Sequence, residues 1–149
     1  MTNASAAAAA ATKSIIHVAG YQSCGFYRRA ASVVASLSLL FPHRLELVQH
    51  EFPNREAYRN WLLKDPTNFR KGVSAKLLNA GGNLRGYSEI DNHASSPFCW
   101  LACGKGGNVD EVTEYIGGCD ATLDWCRNFA RPAAPTTNGA KEEEARMVP

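Results

Sequence analysis

Three short segments of the 149-residue chain carry residue types at spacings that could do chemistry. The first is Cys24-Gly25-Phe26-Tyr27-Arg28-Arg29, placed where an apolar run gives way to a helical pattern. A cysteine at a helix start meets unsatisfied N–H groups and the positive end of the helix dipole, which favour a thiolate over a thiol. The thiolate is the attacking species in disulfide exchange. Gly25 lets a partner backbone come close, and Phe26 is expected to anchor the turn from beneath. The plainer alternative is that Cys24 is a small buried hydrophobe, as most free cysteines are.

The second segment is Ser95-Ser96-Pro97, just before an apolar run. A proline opening a central strand forfeits a ladder donor; a cis bond that turns the preceding backbone sideways would explain it, and a trans proline at a strand edge is the alternative. The third is Ile116-Gly117-Gly118-Cys119-Asp120-Ala121-Thr122-Leu123, a double glycine running into a helix. Bare amides there suit a carboxylate, and Asp120 suits an ammonium group, so the pair fits the α-amino-acid end of a small ligand. A helix start capped by Asp120 is the alternative.

These segments need elements to position them. Ser14 to Ala19 is a short β-branched apolar run closed by Gly20 and is expected to be a buried strand. Phe26, Ala30, Val33, Val34, Leu37 and Phe41 then recur at helical spacing, and the helix must stop before Pro42. Arg44 to His50 reads as a second strand, parallel to the first through a right-handed crossover. Asn54 caps a second helix with Ala57, Tyr58, Trp61 and Leu62 on its apolar side, ending before Pro66. Residues from about 66 to 95 read as a long, mobile, irregular insertion in which Val73 to Asn79 could form a short helix. Pro97 to Ala102 and Val112 to Ile116 form a hairpin across a glycine-rich turn, and a last helix carries Leu123, Cys126, Phe129 and Ala130 inward. The domain spans residues 14–131; the alanine-rich residues 1–13 and the Pro-rich, acidic residues 132–149 read as disordered tails.

Taken together, these motifs at these positions resemble the glutaredoxins, in which the catalytic cysteine opens the first helix, a cis-proline segment lies beside it and a G-G-C-D turn completes a glutathione site. Cys24-Gly25-Phe26 matches the monothiol C-G-F-S branch, and Ile116 to Asp120 reads I-G-G-C-D. The resemblance implies a thioredoxin-like α/β fold, a central mixed four-stranded sheet flanked by helices. It makes Cys24 the nucleophile of a glutathione-dependent thiol–disulfide oxidoreductase acting by a monothiol mechanism. Tyr27, Ser96, Pro97, Gly118, Cys119 and Asp120 would line the glutathione site, with the Ser96 backbone on the glutathione cysteine and Gly118, Cys119 and Asp120 on its γ-glutamyl end. Tyr27 replaces the second cysteine or serine, which excludes dithiol exchange through this motif and sets a bulky phenol at the site. Tyr21 stands where glutaredoxins usually carry a basic residue for the glycine carboxylate.

The region around Trp61-Leu62, Ser96-Pro97, Trp100 and Ile116-Gly117-Gly118 also resembles the glutaredoxin-like N-terminal domain of malate dehydrogenase 1B-type proteins, which are associated with ciliated cells. That resemblance implies an alternative, a non-catalytic interaction module in a larger ciliary or axonemal assembly. An iron–sulfur cluster carrier, bridging two protomers through Cys24 and two glutathiones, is a second alternative.

Other classes are less well supported. A formal charge of +2 with no dense basic block argues against nucleic acid as partner. No apolar run reaches the roughly 18 residues that a membrane-spanning helix needs. The N-terminal alanine run lacks the basic start and bulky apolar core of a secretory signal, and five cysteines are an odd number for a disulfide framework, so a cytoplasmic protein is expected. Cys99-x3-Cys103 and Cys119-x6-Cys126 lack zinc-site spacing, and no metal is expected. His17 and His50 read as structural, and Cys99, Cys103 and Cys126 as buried packing.

Overall fold

Ser14–Tyr21 forms β1, the strand on which everything else is built. Its side chains alternate between two covered faces, so Ile16 and Val18 point to one side while His17 and Ala19 point to the other, all fully buried. A computed structural model describes residues 13–79 and 89–131. The expected tails, apart from Lys13, and residues 80–88 of the expected insertion lie outside the described residues.

After β1 come α1 (Gly25–Leu40), β2 (Leu45–Phe52), α2 (Arg55–Leu63) and α3 (Phe69–Asn79). Then follow β3 (Phe98–Ala102), a 3₁₀ turn at Val109–Glu111, β4 (Val112–Gly117) and α4 (Cys119–Ala130). The sheet order is β2-β1-β3-β4, with β1 parallel to β2 and antiparallel to β3, and β3 antiparallel to β4. This is a thioredoxin-like α/β fold, a central mixed four-stranded sheet flanked by helices. No helix among the described residues is long and apolar enough to cross a membrane.

One face of the sheet packs Ile16, Val18 and Cys99 against Tyr27, Ala30, Ala31 and Val34 of α1 and Leu123 and Cys126 of α4. The other packs Ala19, Phe98 and Trp100 against Tyr58 and Leu62 of α2 and Phe69 and Val73 of α3. Truncating a fully buried aromatic such as Trp100 to alanine would cost about 3–5 kcal/mol.

Two expectations need correction. Phe26 does not anchor the turn, because it is 64% exposed, and the buried stripe of α1 runs Tyr27, Ala30, Ala31, Val34, Leu37. Both phases satisfy a three-and-four spacing, and Tyr27 wins because its hydroxyl finds polar partners beneath the helix: it donates to Glu51 (3.2 Å) and accepts from Gln49 (3.0 Å). The segment from 66 to 95 is also not irregular throughout. A helix starts at Phe69, four residues before the expected Val73, and buries Phe69, Val73 and Ser74. A second short helical stretch covers residues 89–92.

The second face holds a polar pair. Nε2 of His17 lies 2.8 Å from the Gly104 carbonyl, which can only accept, so that nitrogen carries the proton. Its Nδ1 therefore accepts from Nε2–H of His50 at 2.8 Å, and both rings stack on Trp100. Gly107, at φ +76°, leaves the space, since a Cβ there would sit 2.7 Å from Cε1 of His50. Burial lowers the pKa of both imidazoles, and for His50 burial and then the His17 charge bring it to about 4. A folded-state value below the unfolded 6.5 means that the unfolded chain binds the extra proton first. Stability is therefore complete above about pH 6.5 and falls as pH drops towards about 4, by of order 2 kcal/mol once partial exposure is discounted. Urea unfolding midpoints measured across that window should decline in the wild type and flatten in His50→Gln; parallel declines would show that the pair is not responsible.

Candidate functional site

The sharpest local geometry lies where β1 hands over to α1. Cys24 is the N-cap of α1, in extended backbone, and the Tyr27 N–H donates to its Sγ at 3.4 Å. A side-chain cap of this kind settles one of the orphan amides of the first turn, a task usually given to serine or aspartate. Here the capping atom is sulfur, which accepts from that amide. On its other side the thiol meets the Ser96 carbonyl, with sulfur and oxygen 3.7 Å apart. Cys24 is only 7% exposed, but it lines a groove of about 140 Å³ with Tyr21, Phe26, Arg55, Tyr58, Arg59 and Ala94 to Ser96.

The Ser96-Pro97 bond is cis, as one of the two sequence alternatives required, and it opens directly into β3. The turn is held from several sides. Tyr58 donates its hydroxyl to the Ser95 carbonyl at 2.7 Å. Nε2–H of His93 is shared between the Ser95 and Pro97 carbonyls, each 2.9 Å away, so its Nδ1 accepts from the Tyr115 hydroxyl at 2.6 Å. Burial keeps this imidazole neutral by lowering its pKa, as the arrangement requires. Ser96 lines the groove; its Oγ is buried without a partner, and its N–H enters no hydrogen bond among the described residues.

The double-glycine turn reaches the same place. A Cβ on Gly118 would come 3.8 Å from the Pro97 carbonyl and 3.9 Å from Cε1 of His93, which sets this turn beside the cis-proline. Gly117 takes φ +133°, a backbone that side chains strain to adopt. Gly118, not Asp120, is the N-cap of α4, and no side chain caps this helix. The first amides of α4 are therefore free to meet an anion, with Asp120 exposed among them. The Cys119 thiol turns into the core cluster that holds Cys24, and burial raises its pKa.

Of the residues expected at the site, Cys24 and Ser96 line the groove, and Gly118 sits beside Pro97; Pro97, Gly118, Cys119 and Asp120 are not among the groove's lining residues. Tyr27 does not line the groove. Its ring is fully buried beneath α1 against Gly20, where it leaves no room for even a Cβ, and burial pushes its hydroxyl up to about 12. The phenol thus crowds the underside of the motif and not the mouth of the groove, and only its N–H serves Cys24.

Four contributors escaped sequence reasoning. Tyr58 was legible only as a core position of α2, and His93 lay inside a segment read as irregular. Arg55 and Arg59 carried a usable signal: four residues apart on α2, they must share a helix face, and that face borders the groove. They set positive charge on the wall where Tyr21 supplies none. Comparison of the chain with protein-family models, curated proteins and solved structures finds no match in any of the three.

Proposed function

We propose that the protein is a glutathione-dependent thiol–disulfide oxidoreductase that works through Cys24 alone. The observation that carries this reading is the position of Cys24 Sγ, which is met by the Tyr27 N–H, lies against the backbone of a cis-proline turn and opens on a groove. Glutathione complements that surface. The unpaired Ser96 N–H matches the carbonyl of its cysteine, Arg55 and Arg59 match its glycine carboxylate, and the uncapped amides of α4 with Asp120 match its γ-glutamyl carboxylate and ammonium.

The chemistry balances with glutathione as the only co-substrate. The Cys24 thiolate attacks the glutathione sulfur of a protein–glutathione mixed disulfide; a bond forms between Cys24 and glutathione, and the protein thiolate leaves and takes a proton. A second glutathione, as thiolate, attacks the glutathione sulfur on Cys24. Glutathione disulfide departs and Cys24 returns to its starting state. The substrate cysteine is reduced, the one incoming glutathione is oxidised to the disulfide level that the first already had, and the proton on the freed protein thiol is the one that the incoming glutathione released. All five cysteines are unpaired, which suits a reducing, cytoplasmic setting. Turnover of a glutathionylated peptide by wild type and Cys24→Ser tests the reading: loss is expected in the variant, and equal turnover would sink it.

A further inference from the structure

We propose that the protein half of the mixed disulfide is an acidic segment that docks on the exposed first two turns of α1, beside Cys24. The inference rests on the exchange reading above and names its substrate class. Gly25 and Phe26 are exposed there, and a Cβ on Gly25 would meet nothing within 4 Å, so a partner backbone can lie flat across the start of the helix. Arg28 and Arg29 follow, both exposed, and the first turn of α1 carries no acidic residue.

Counting charges separates this platform from the tripeptide site. Glutathione has two carboxylates: one is matched by Arg55 and Arg59 in the groove, the other by the amides of α4. Arg28 belongs to neither set, and Arg29 borders the α1–α4 surface within electrostatic reach of Cys119. The side chains of all four arginines are without hydrogen bonds or ion pairs among the described residues. The nearby acidic groups do not balance them: Glu51, which stays charged while it accepts from the Tyr27 hydroxyl, Glu56 and Asp120 are three carboxylates against four guanidiniums. The surface around the thiol is thus net positive, and it would concentrate anionic partners and disfavour cationic ones.

The test uses the full chain and two glutathionylated peptides that differ only in the residues flanking the modified cysteine, aspartate in one and lysine in the other. At about 0.01 M ionic strength, wild type should show a kcat/KM about ten-fold higher for the aspartate peptide, shrinking to about two-fold at about 0.15 M as screening sets in. Arg28→Gln/Arg29→Gln should lose the preference while labelling of Cys24 by neutral iodoacetamide stays at the wild-type rate. Arg55→Gln/Arg59→Gln should instead raise KM for both peptides alike. Equal kcat/KM for the two peptides in wild type at low salt overturns the docking proposal and leaves glutathione exchange standing. Absence of turnover on either peptide, with Cys24 inert to iodoacetamide, overturns both.

Discussion

Replacing Cys24 by serine is expected to abolish turnover of a glutathionylated peptide, a loss of at least about a thousand-fold. None of the other thiols can substitute. Full burial pushes Cys99 up to about 12, and burial pushes Cys126 up to about 11, so at neutral pH only about one molecule in ten thousand or fewer would hold either as thiolate. Cys119 is shifted upward by the same cause. Cys103, expected as buried packing, is instead exposed because it lies in the turn after β3, but that turn is at the wrong end of the sheet. It follows Ala102, which pairs with Ile15 near the start of β1, whereas Cys24 follows the end of β1 at Tyr21. Six residues of strand separate the two ends by roughly 20 Å, far beyond the reach of a disulfide. Cys103→Ser should therefore keep turnover within about two-fold of wild type. With no second thiol in the motif, the adduct on Cys24 waits for another glutathione, so the rate should rise with glutathione concentration. Mass spectrometry of protein treated with the mixed disulfide alone should show one glutathione on Cys24. A disulfide from Cys24 to Cys119 in place of that adduct would refute the monothiol cycle.

The sequence revealed the framework better than it revealed the site's walls. β1 and β3 are near-continuous apolar runs, β2 alternates in part, and the helices of the crossover carry caps and prolines at their ends, so β1, α1, β2, α2 and the hairpin were legible to within a few residues. The three motifs announced themselves because each needs an unusual residue at a junction: a cysteine at a helix start, a proline at a strand start, glycines before a helix. What stayed hidden depends on contacts between distant segments. Both Phe26 and Tyr27 fit the helical spacing, and only the polar partners that Gln49 and Glu51 bring from β2 decide which ring goes inward. His93 looked like an ordinary polar residue in a loop. Its importance appears only when Tyr115 of β4 and the carbonyls of Ser95 and Pro97 surround it. The helix from Phe69 was legible only from Val73 for a related reason: its apolar face is short and interrupted by Gly72, and tertiary burial of Phe69 against Trp61 and Trp100, not propensity, holds its first turn.

The same dependence on distant contacts gives Gly20 the tightest surroundings of any glycine among the described residues. Gly20→Ala is expected to destabilise the fold by about 3 kcal/mol, which lowers the melting temperature by roughly 10 °C. A Cβ at this position would lie 2.5 Å from Cγ and Cδ1 of Tyr27 and 2.5 Å from Ser96 Oγ. The serine hydroxyl can rotate away. The tyrosine ring cannot, because it is fully buried and its hydroxyl is tied to Gln49 and Glu51. Relief must come from moving α1 outward or the Ser96 turn sideways, and both movements displace the Cys24 sulfur from the groups around it. Activity should therefore fall further than the folded fraction does. Tyr27→Val alone leaves a cavity and costs stability too, but in combination with Gly20→Ala the methyl enters the vacated space, so the double variant should be at least about 1 kcal/mol more stable than the sum of the single losses. Strictly additive losses in urea unfolding would mean that the ring is not what the methyl meets. The packing that places sulfur, cis-proline and helix start together would then have to rest on something other than the Gly20–Tyr27 contact.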